Sequence, residues 1–343
     1  MYIYIMMKKT LIIVLCCAIF LVSKTSSYAQ NNTFKNTETL IQPPYLQAGD
    51  TVAIIAPSGI LKSRTGEIEQ AKILLKNWGL HVVVGKNVFN QANHFAGTDD
   101  ERCEDFQNAM DDPKISAIWC ARGGYGTVRI LDKLDYTKLK NNPKWLIGYS
   151  DITALHNQFH NQGFESLHAM MCVSLTKDLN DIKETLSTFK DALFGKQISY
   201  TLKGSTFNKT GTVSAPLVGG NLTMLHTMLG SETSINTSGK ILFIEEIGEY
   251  KYHIDRMLQS LKRAGYFENC KGILVGYMSK MRTNTTLWGT SVEQLILDAL
   301  AEYNFPIAFN MPAGHKKDNR AMIFGRTVKL TVSNEQSTVK FAE

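Results

Sequence analysis

The sequence predicts an α/β protein, with an N-terminal domain built on a parallel sheet and a smaller, β-rich α+β domain behind it. The first observation is an alternation of short apolar runs with segments of helical periodicity from residue 51 to about 195. The second is a change of texture from about residue 196, where "KQISYTLKGSTFNKTGTVSAPLVGGN" is rich in Ser, Thr and Gly. The third is size: 343 residues at 44% hydrophobic can bury a sizeable core and fill two domains.

Each element has its own signature. "TVAIIAP" (51–57) is a β-rich run ended by Pro57-Ser58-Gly59, and "EIEQAKILLKNWG" carries apolar residues at helical spacing up to a glycine. "LHVVVGKNV" reads as a second strand, "DERCEDFQNAMDD" as a helix and "ISAIWCARG" as a third strand. "GTVRILDKL" predicts a helix, "KWLIGYS" a fourth strand, and "DITALHNQFHNQ" the helix after it. "ESLHAMM" suggests one more strand before the helix "DIKETLSTFKDALFG". Beyond a linker at 196–214, strands are expected at "GKILFIEEIGEY", "CKGILVGYM", "FPIAFNMPAGH" and "TVKLTVS", with a helix at "YHIDRMLQSLKRAG".

The N-terminus reads as a secretory signal peptide. Lys8 and Lys9 precede a 12-residue apolar run, Leu11–Val22, and Ser27-Tyr28-Ala29 is a small-x-small cleavage site. Cleavage after Ala29 leaves a polar tether at 30–44, a first domain at 45–195 and a second at 215–343, in a periplasmic or secreted protein. It removes Lys8, Lys9 and Lys24 and no acids, so the formal charge falls from +6 to +3. No basic block points to nucleic acid, and no remaining stretch points to a membrane. Cys103, Cys120, Cys172 and Cys270 are far apart with no CxxC pair, and are expected to be structural.

In a parallel sheet, ligands gather at the carboxyl ends of the strands. Three loops qualify: "APSG" (56–59), "ARGGYG" (121–126) and the turn at Ser150. Ser150 opens a helix-like segment, so it is either an N-cap or a nucleophile held in a tight turn. A nucleophile needs a base and the base an orienting acid. His315 stands in the Pro- and Gly-containing loop "NMPAGHKKDN", and Glu245 and Glu246 end the apolar run "ILFI". Under period-two alternation one of the two acids must point inward. Gly123 and Gly124 suit an oxyanion site, because glycine lets backbone amides approach a substrate; the Asp151 amide would add another donor. "RGGYG" lacks the GxGxxG spacing of a dinucleotide site, and Gly148–Ile152 lacks the second glycine of the esterase elbow. His156 and His160 form an H-x3-H without the glutamate of HExxH, which reads as one helix face and not a metal site.

Six ordered motifs, "HFAGTDDER", "ARGGYGTVRILDKLD", "GYSDITALH", "PLVGGNLTML", "EEIGEYKYHIDRML" and "PAGH", resemble the LD-carboxypeptidase family of serine peptidases over roughly residues 45–340. The resemblance implies a flavodoxin-like first domain and a homodimer. It implies a triad of Ser150, Glu245 and His315 and an oxyanion hole from the main chain of Gly124 and Asp151, with no metal or cofactor. The implied reaction removes the terminal D-Ala of a murein tetrapeptide, and Arg122 is chemically suited to read the free carboxylate. Gly123, Tyr125, Gly220 and Asn221 are further candidate substrate contacts. His168-Ala169-Met170-Met171 departs from the HGPM-like segment of many relatives, which alters the local pocket. A microcin-type peptidyl-nucleotide hydrolase and a catalytically silent wall-fragment binding protein are the alternatives.

Overall fold

Short apolar runs become strands where both faces of a sheet are covered, and the first half of the chain follows that rule. The computed structural model describes residues 40–343; the expected signal peptide and residues 30–39 of the tether lie outside the described residues. Strands β1 (Thr51–Ile55), β2 (His81–Val84), β3 (Ile115–Cys120), β4 (Trp145–Gly148) and β5 (Ser166–His168) all run parallel. Helices α1 (Thr65–Asn77), α2 (Asp99–Asp111), α3 (Thr153–Asn161) and α4 (Lys183–Leu193) connect or follow them. β1, β3 and β4 are almost wholly buried, whereas the edge strand β2 alternates in exposure. α2 starts at a capping box: Thr98 Oγ1 accepts from the Glu101 amide, and the Glu101 carboxylate accepts from the Thr98 amide.

The helix expected over 126–134 is instead two 3-10 turns, Thr127–Arg129 and Leu131–Lys133. Gly126 enters with φ +140°, and both Thr127 donors are turned toward Asp151, so the chain tightens locally instead of continuing as a helix.

The second half builds a seven-stranded sheet from β6 (Ser199–Lys203), β7 (Gly211–Asn221), β8 (Ile241–Ile247), β9 (Gly272–Ser279) and β10 (Ile307–Ala308). After β11 (Met322–Phe324), strands β12 (Thr327–Val332) and β13 (Gln336–Phe341) complete it, in the order β10-β9-β8-β7-β12-β13-β6. β7 to β10 are parallel, with α5 (Leu222–Thr227), α6 (Lys251–Arg263) and α7 (Val292–Ala299) between them; β12, β13 and β6 add antiparallel strands. The second half thus repeats the strand–helix alternation on a smaller scale and extends it by a meander.

β11 does not join that sheet. It pairs antiparallel with β5, with Met322 opposite His168, and becomes the edge of the first sheet. One apolar cluster runs from Val52 and Trp119 through Phe324 to Phe243 and Phe341, so the halves share a core. Beside it, the buried Arg326 guanidinium donates to both Glu165 carboxylate oxygens, at 2.9 and 2.5 Å, and to Tyr45 Oη at 2.7 Å.

Candidate active site

Ser150 lies just beyond β4, with Tyr149 between them. Its backbone has φ +65°, a left-handed conformation that non-glycine residues adopt rarely and at some energetic cost. The hydroxyl caps no helix amide. It donates to His315 Nε2 at 2.9 Å, and His315 Nδ1 donates to Glu245 Oε2 at 2.8 Å. The serine comes from the first sheet, Glu245 from β8, and His315 from the loop before β11. Residues 95 and 165 positions apart in sequence are thus brought into one hydrogen-bonded series. Burial opposes the charged form of His315. The hydrogen bond and charge of Glu245, with Glu246 behind it, more than offset that and hold the imidazole above its ordinary value.

Both acids point inward, not one. The ladder between β8 and β9 shifts register between Ile244 and Glu246, and this irregularity defeats the period-two rule, leaving Glu245 at 0% and Glu246 at 2% exposure. Asn221 lets them coexist: its Nδ2 donates to Glu245 Oε1 at 3.2 Å and Glu246 Oε1 at 3.0 Å. Glu246 also accepts from the Thr223 and Ile247 amides. Desolvation raises the pKa of Glu246, assisted by its charged neighbour. Gly314 makes the His315 loop possible. It has φ +116°, and a Cβ there would lie 2.6 Å from Glu245 Oε2.

The GG turn abuts the serine. A Cβ on Gly123 would meet Ser150 Cβ at 3.2 Å and the Asp151 nitrogen at 3.4 Å, while Gly124 is exposed with φ +110°. Met171 Cε would touch the same Cβ at 3.3 Å, so the His168–Met171 segment, wholly buried, forms a floor beneath this turn. Arg122 is half-buried and donates to the Ile60 carbonyl; among the described residues it has no carboxylate partner. Tyr125 is 48% exposed at the rim. Gly220 and Asn221 lie in the seam between the sheets. A Cβ on Gly220 would sit 2.4 Å from Thr153 Oγ1, the Asn221 amide donates to that same oxygen, and the Asn221 side chain is occupied by the two acids and the Met224 amide. His156 is hydrogen-bonded on both ring nitrogens, to Ser166 Oγ and the Gly148 carbonyl, and burial lowers its pKa to about 4. Cys103, Cys120, Cys172 and Cys270 are free thiols, the last three buried.

Sequence reasoning missed Ser58 and Thr127. Ser58 Oγ donates to Asp151 Oδ2 at 2.5 Å, the Thr127 amide donates to that oxygen at 3.0 Å, and Thr127 Oγ1 donates to the Asp151 carbonyl at 2.7 Å. Their only signal was position: each lies in or beside a loop at the carboxyl end of a strand.

A hydroxyl, an imidazole and a buried carboxylate in hydrogen-bonded series, at the strand ends of an α/β sheet, define a serine-hydrolase type of site. Residues 52–169 match the LD-carboxypeptidase N-terminal domain, and residues 214–330 match the LD-carboxypeptidase C-terminal domain. The chain is 33% identical to a probable murein peptide carboxypeptidase of Bacillus subtilis over 303 residues, covering 87% of this chain and 94% of the relative. It is 30% identical to the murein tetrapeptide carboxypeptidase of Pseudomonas aeruginosa over 288 residues, covering 81% and 92%. It also resembles the crystal structure of muramoyltetrapeptide carboxypeptidase from Oxalobacter formigenes, with a TM-score of 0.76 and 27% identity, covering 85% of this chain and 99% of that one. The chain belongs to the LD-carboxypeptidase family and is an enzyme of the serine-peptidase kind. Among the described residues no helix is long and apolar enough to cross a membrane.

Proposed function

We propose that the enzyme removes the terminal D-alanine from murein tetrapeptide, cleaving the bond from the L-centre of the diamino acid through an acyl-enzyme on Ser150. The observation that carries this reading is the Ser150–His315–Glu245 series at 2.9 and 2.8 Å. His315 accepts the Ser150 proton as the hydroxyl attacks the scissile carbonyl, and Glu245 stabilises the imidazolium that forms. The oxyanion rests on the main-chain amides of Gly124 and Asp151. His315 then protonates the leaving amine, D-Ala departs, and water, deprotonated by the same imidazole, releases the shortened peptide. Arg122 reads the D-Ala carboxylate; a half-buried guanidinium beside the GG turn, without a carboxylate partner among the described residues, supports that role. The charged, apolar and small-residue order of the N-terminus supports a reaction outside the cytoplasm.

The test is mass spectrometry of residues 30–343 incubated with murein tetrapeptide, wild type beside Ser150→Ala. Loss of D-Ala with wild type alone is the expected result. Wild type that leaves the tetrapeptide intact but hydrolyses a peptidyl-nucleotide transfers the enzyme to the microcin-type reading.

A further inference from the structure

The scheme above uses only the main chain of Asp151, yet its buried side chain is bonded to both of the other loops around the serine. Three loops meet there: Ala56–Gly59 after β1, Ala121–Thr127 after β3, and the nucleophile turn itself. Asp151 is 2% exposed, and its Oδ2 takes the Ser58 hydroxyl from the first loop and the Thr127 amide from the second. The Gly59 amide donates to the Gly123 carbonyl at 3.1 Å, which joins those two loops next to the serine. On the far side Arg102 of α2, 1% exposed, donates to the carbonyls of Pro57 at 2.6 Å and Gly126 at 2.9 Å. Arg102 therefore staples the two outer loops to each other, and the Asp151 carboxylate hangs both on the turn that carries Ser150.

A buried carboxylate is costly to desolvate, and no cation is directly bonded to this one. Among the described residues its Oδ1 has no hydrogen-bond partner. Packing alone gives no reason for an acid here. Hydrogen bonds to an ionised acceptor are, however, shorter and roughly twice as strong as neutral ones. They suit an anchor that must hold backbone amides within a fraction of an ångström of a reacting carbonyl. Gly123, where an added Cβ would come within 3.2 Å of Ser150 Cβ, is the part of the wall such an anchor sets.

We propose that the Asp151 carboxylate is a positioning residue for the reaction, keeping the Gly123–Gly124 turn and the Ser58 loop in register with Ser150 so that the oxyanion-binding amides face the attacked carbonyl. The proposal rests on the serine-hydrolase reading of Ser150, and it makes Ser58 and Thr127 part of the apparatus.

The test compares wild type, Ser58→Ala and Asp151→Asn in two assays. One is D-Ala release from murein tetrapeptide. The other is labelling of Ser150 by a fluorophosphonate, in which the serine oxygen bonds phosphorus, fluoride leaves, and the serine proton passes to His315; it needs no natural substrate. In both variants the labelling rate and kcat are expected to fall together by about ten- to a hundredfold, with KM held within about twofold. The acid limb of the pH profile is expected to stay where it is, because His315 and Glu245 belong to other elements. A labelling rate equal to wild type overturns the proposal, as does a loss confined to KM or a shifted acid limb, which would mark general loosening. Should Asp151→Asn fail to fold, Ser58→Ala decides, since it removes one hydroxyl. If Ser58→Ala slows labelling in a protein that releases no D-Ala, the positioning role stands and the substrate reading falls. An unlabelled wild type removes both.

Discussion

Gly314→Ala perturbs the putting-together of the site more narrowly than removal of any polar group. The added methyl carbon would lie 2.6 Å from Glu245 Oε2, 3.0 Å from Glu245 Cβ and 3.1 Å from its Cδ. The loop cannot simply swing away, because the Gly314 amide is tied to Asn319 Oδ1 at 2.8 Å. To regain ordinary contact at 3.4 Å the carboxylate must retreat by about 0.8 Å. Taken along its bond to His315, now 2.8 Å, that retreat reaches about 3.6 Å, beyond hydrogen-bond range. A displacement of about 1 Å in a catalytic constellation lowers rates by about 10²-fold, and loss of the orienting carboxylate in a serine protease triad by about 10⁴-fold. The expected fall in kcat therefore lies between about 10² and 10⁴, with KM nearly constant. Stability falls as well, by about 1–3 kcal/mol for a side chain at φ +116° and about 1–3 kcal/mol for overpacking. Gly230→Ala is the control, since Gly230 also has positive φ (+79°) but open space around its Cβ position. The assays are steady-state release of D-Ala and urea unfolding. A Gly314→Ala enzyme with wild-type kcat, or a Gly230→Ala enzyme equally impaired, refutes the argument.

Four further outcomes are expected. Because the proposed mechanism needs a neutral His315 to accept the serine proton and its pKa is raised by Glu245, kcat/KM should climb with pH through a midpoint above about 6.5, and Glu245→Gln should move that midpoint down. The same raised pKa contributes stability in full below the unfolded value and loses it as pH rises through the folded one, which thermal midpoints of wild type and His315→Ala across that window will register. Arg326→Ala strands the Glu165 charge in the seam between the halves and should lower stability by about 3–5 kcal/mol in urea unfolding, while Arg326→Met paired with Glu165→Leu recovers most of it. Arg122→Ala should reduce kcat/KM for the free tetrapeptide by about ten- to a hundredfold and leave a C-terminally amidated substrate unaffected, as competition kinetics will show.

The alternation of apolar runs and helical segments made the first sheet legible, because parallel strands buried on both faces are near-continuously hydrophobic. Ser150 was ambiguous on local grounds alone. Cap and nucleophile share the strand-to-helix position, and only the hydrogen-bond partner 165 residues away favours the second reading, which is the one proposed. The two acids ending β8 announced themselves, but their joint burial depends on a register shift that no alternation rule foresees. The pairing of β11 with β5 was equally hidden, since three apolar residues suit either sheet. Ser58 and Thr127 went unnoticed because their partner, Asp151, reads as an ordinary acid at a helix start.

The placement of β11 has a bearing on how the chain acquires its activity during synthesis. The outer edge of the first sheet is completed by residues made roughly 150 positions after the strand they cover, Met322 against His168. Until they emerge from the ribosome, β5 offers open backbone groups to any neighbouring strand, and the nascent N-terminal half is prone to mispairing. His315 is translated only seven residues before β11. On the proposed triad, competence for hydrolysis and closure of the vulnerable edge therefore arrive together, long after the serine, so a nascent chain that has not reached them carries the serine without the means to use it.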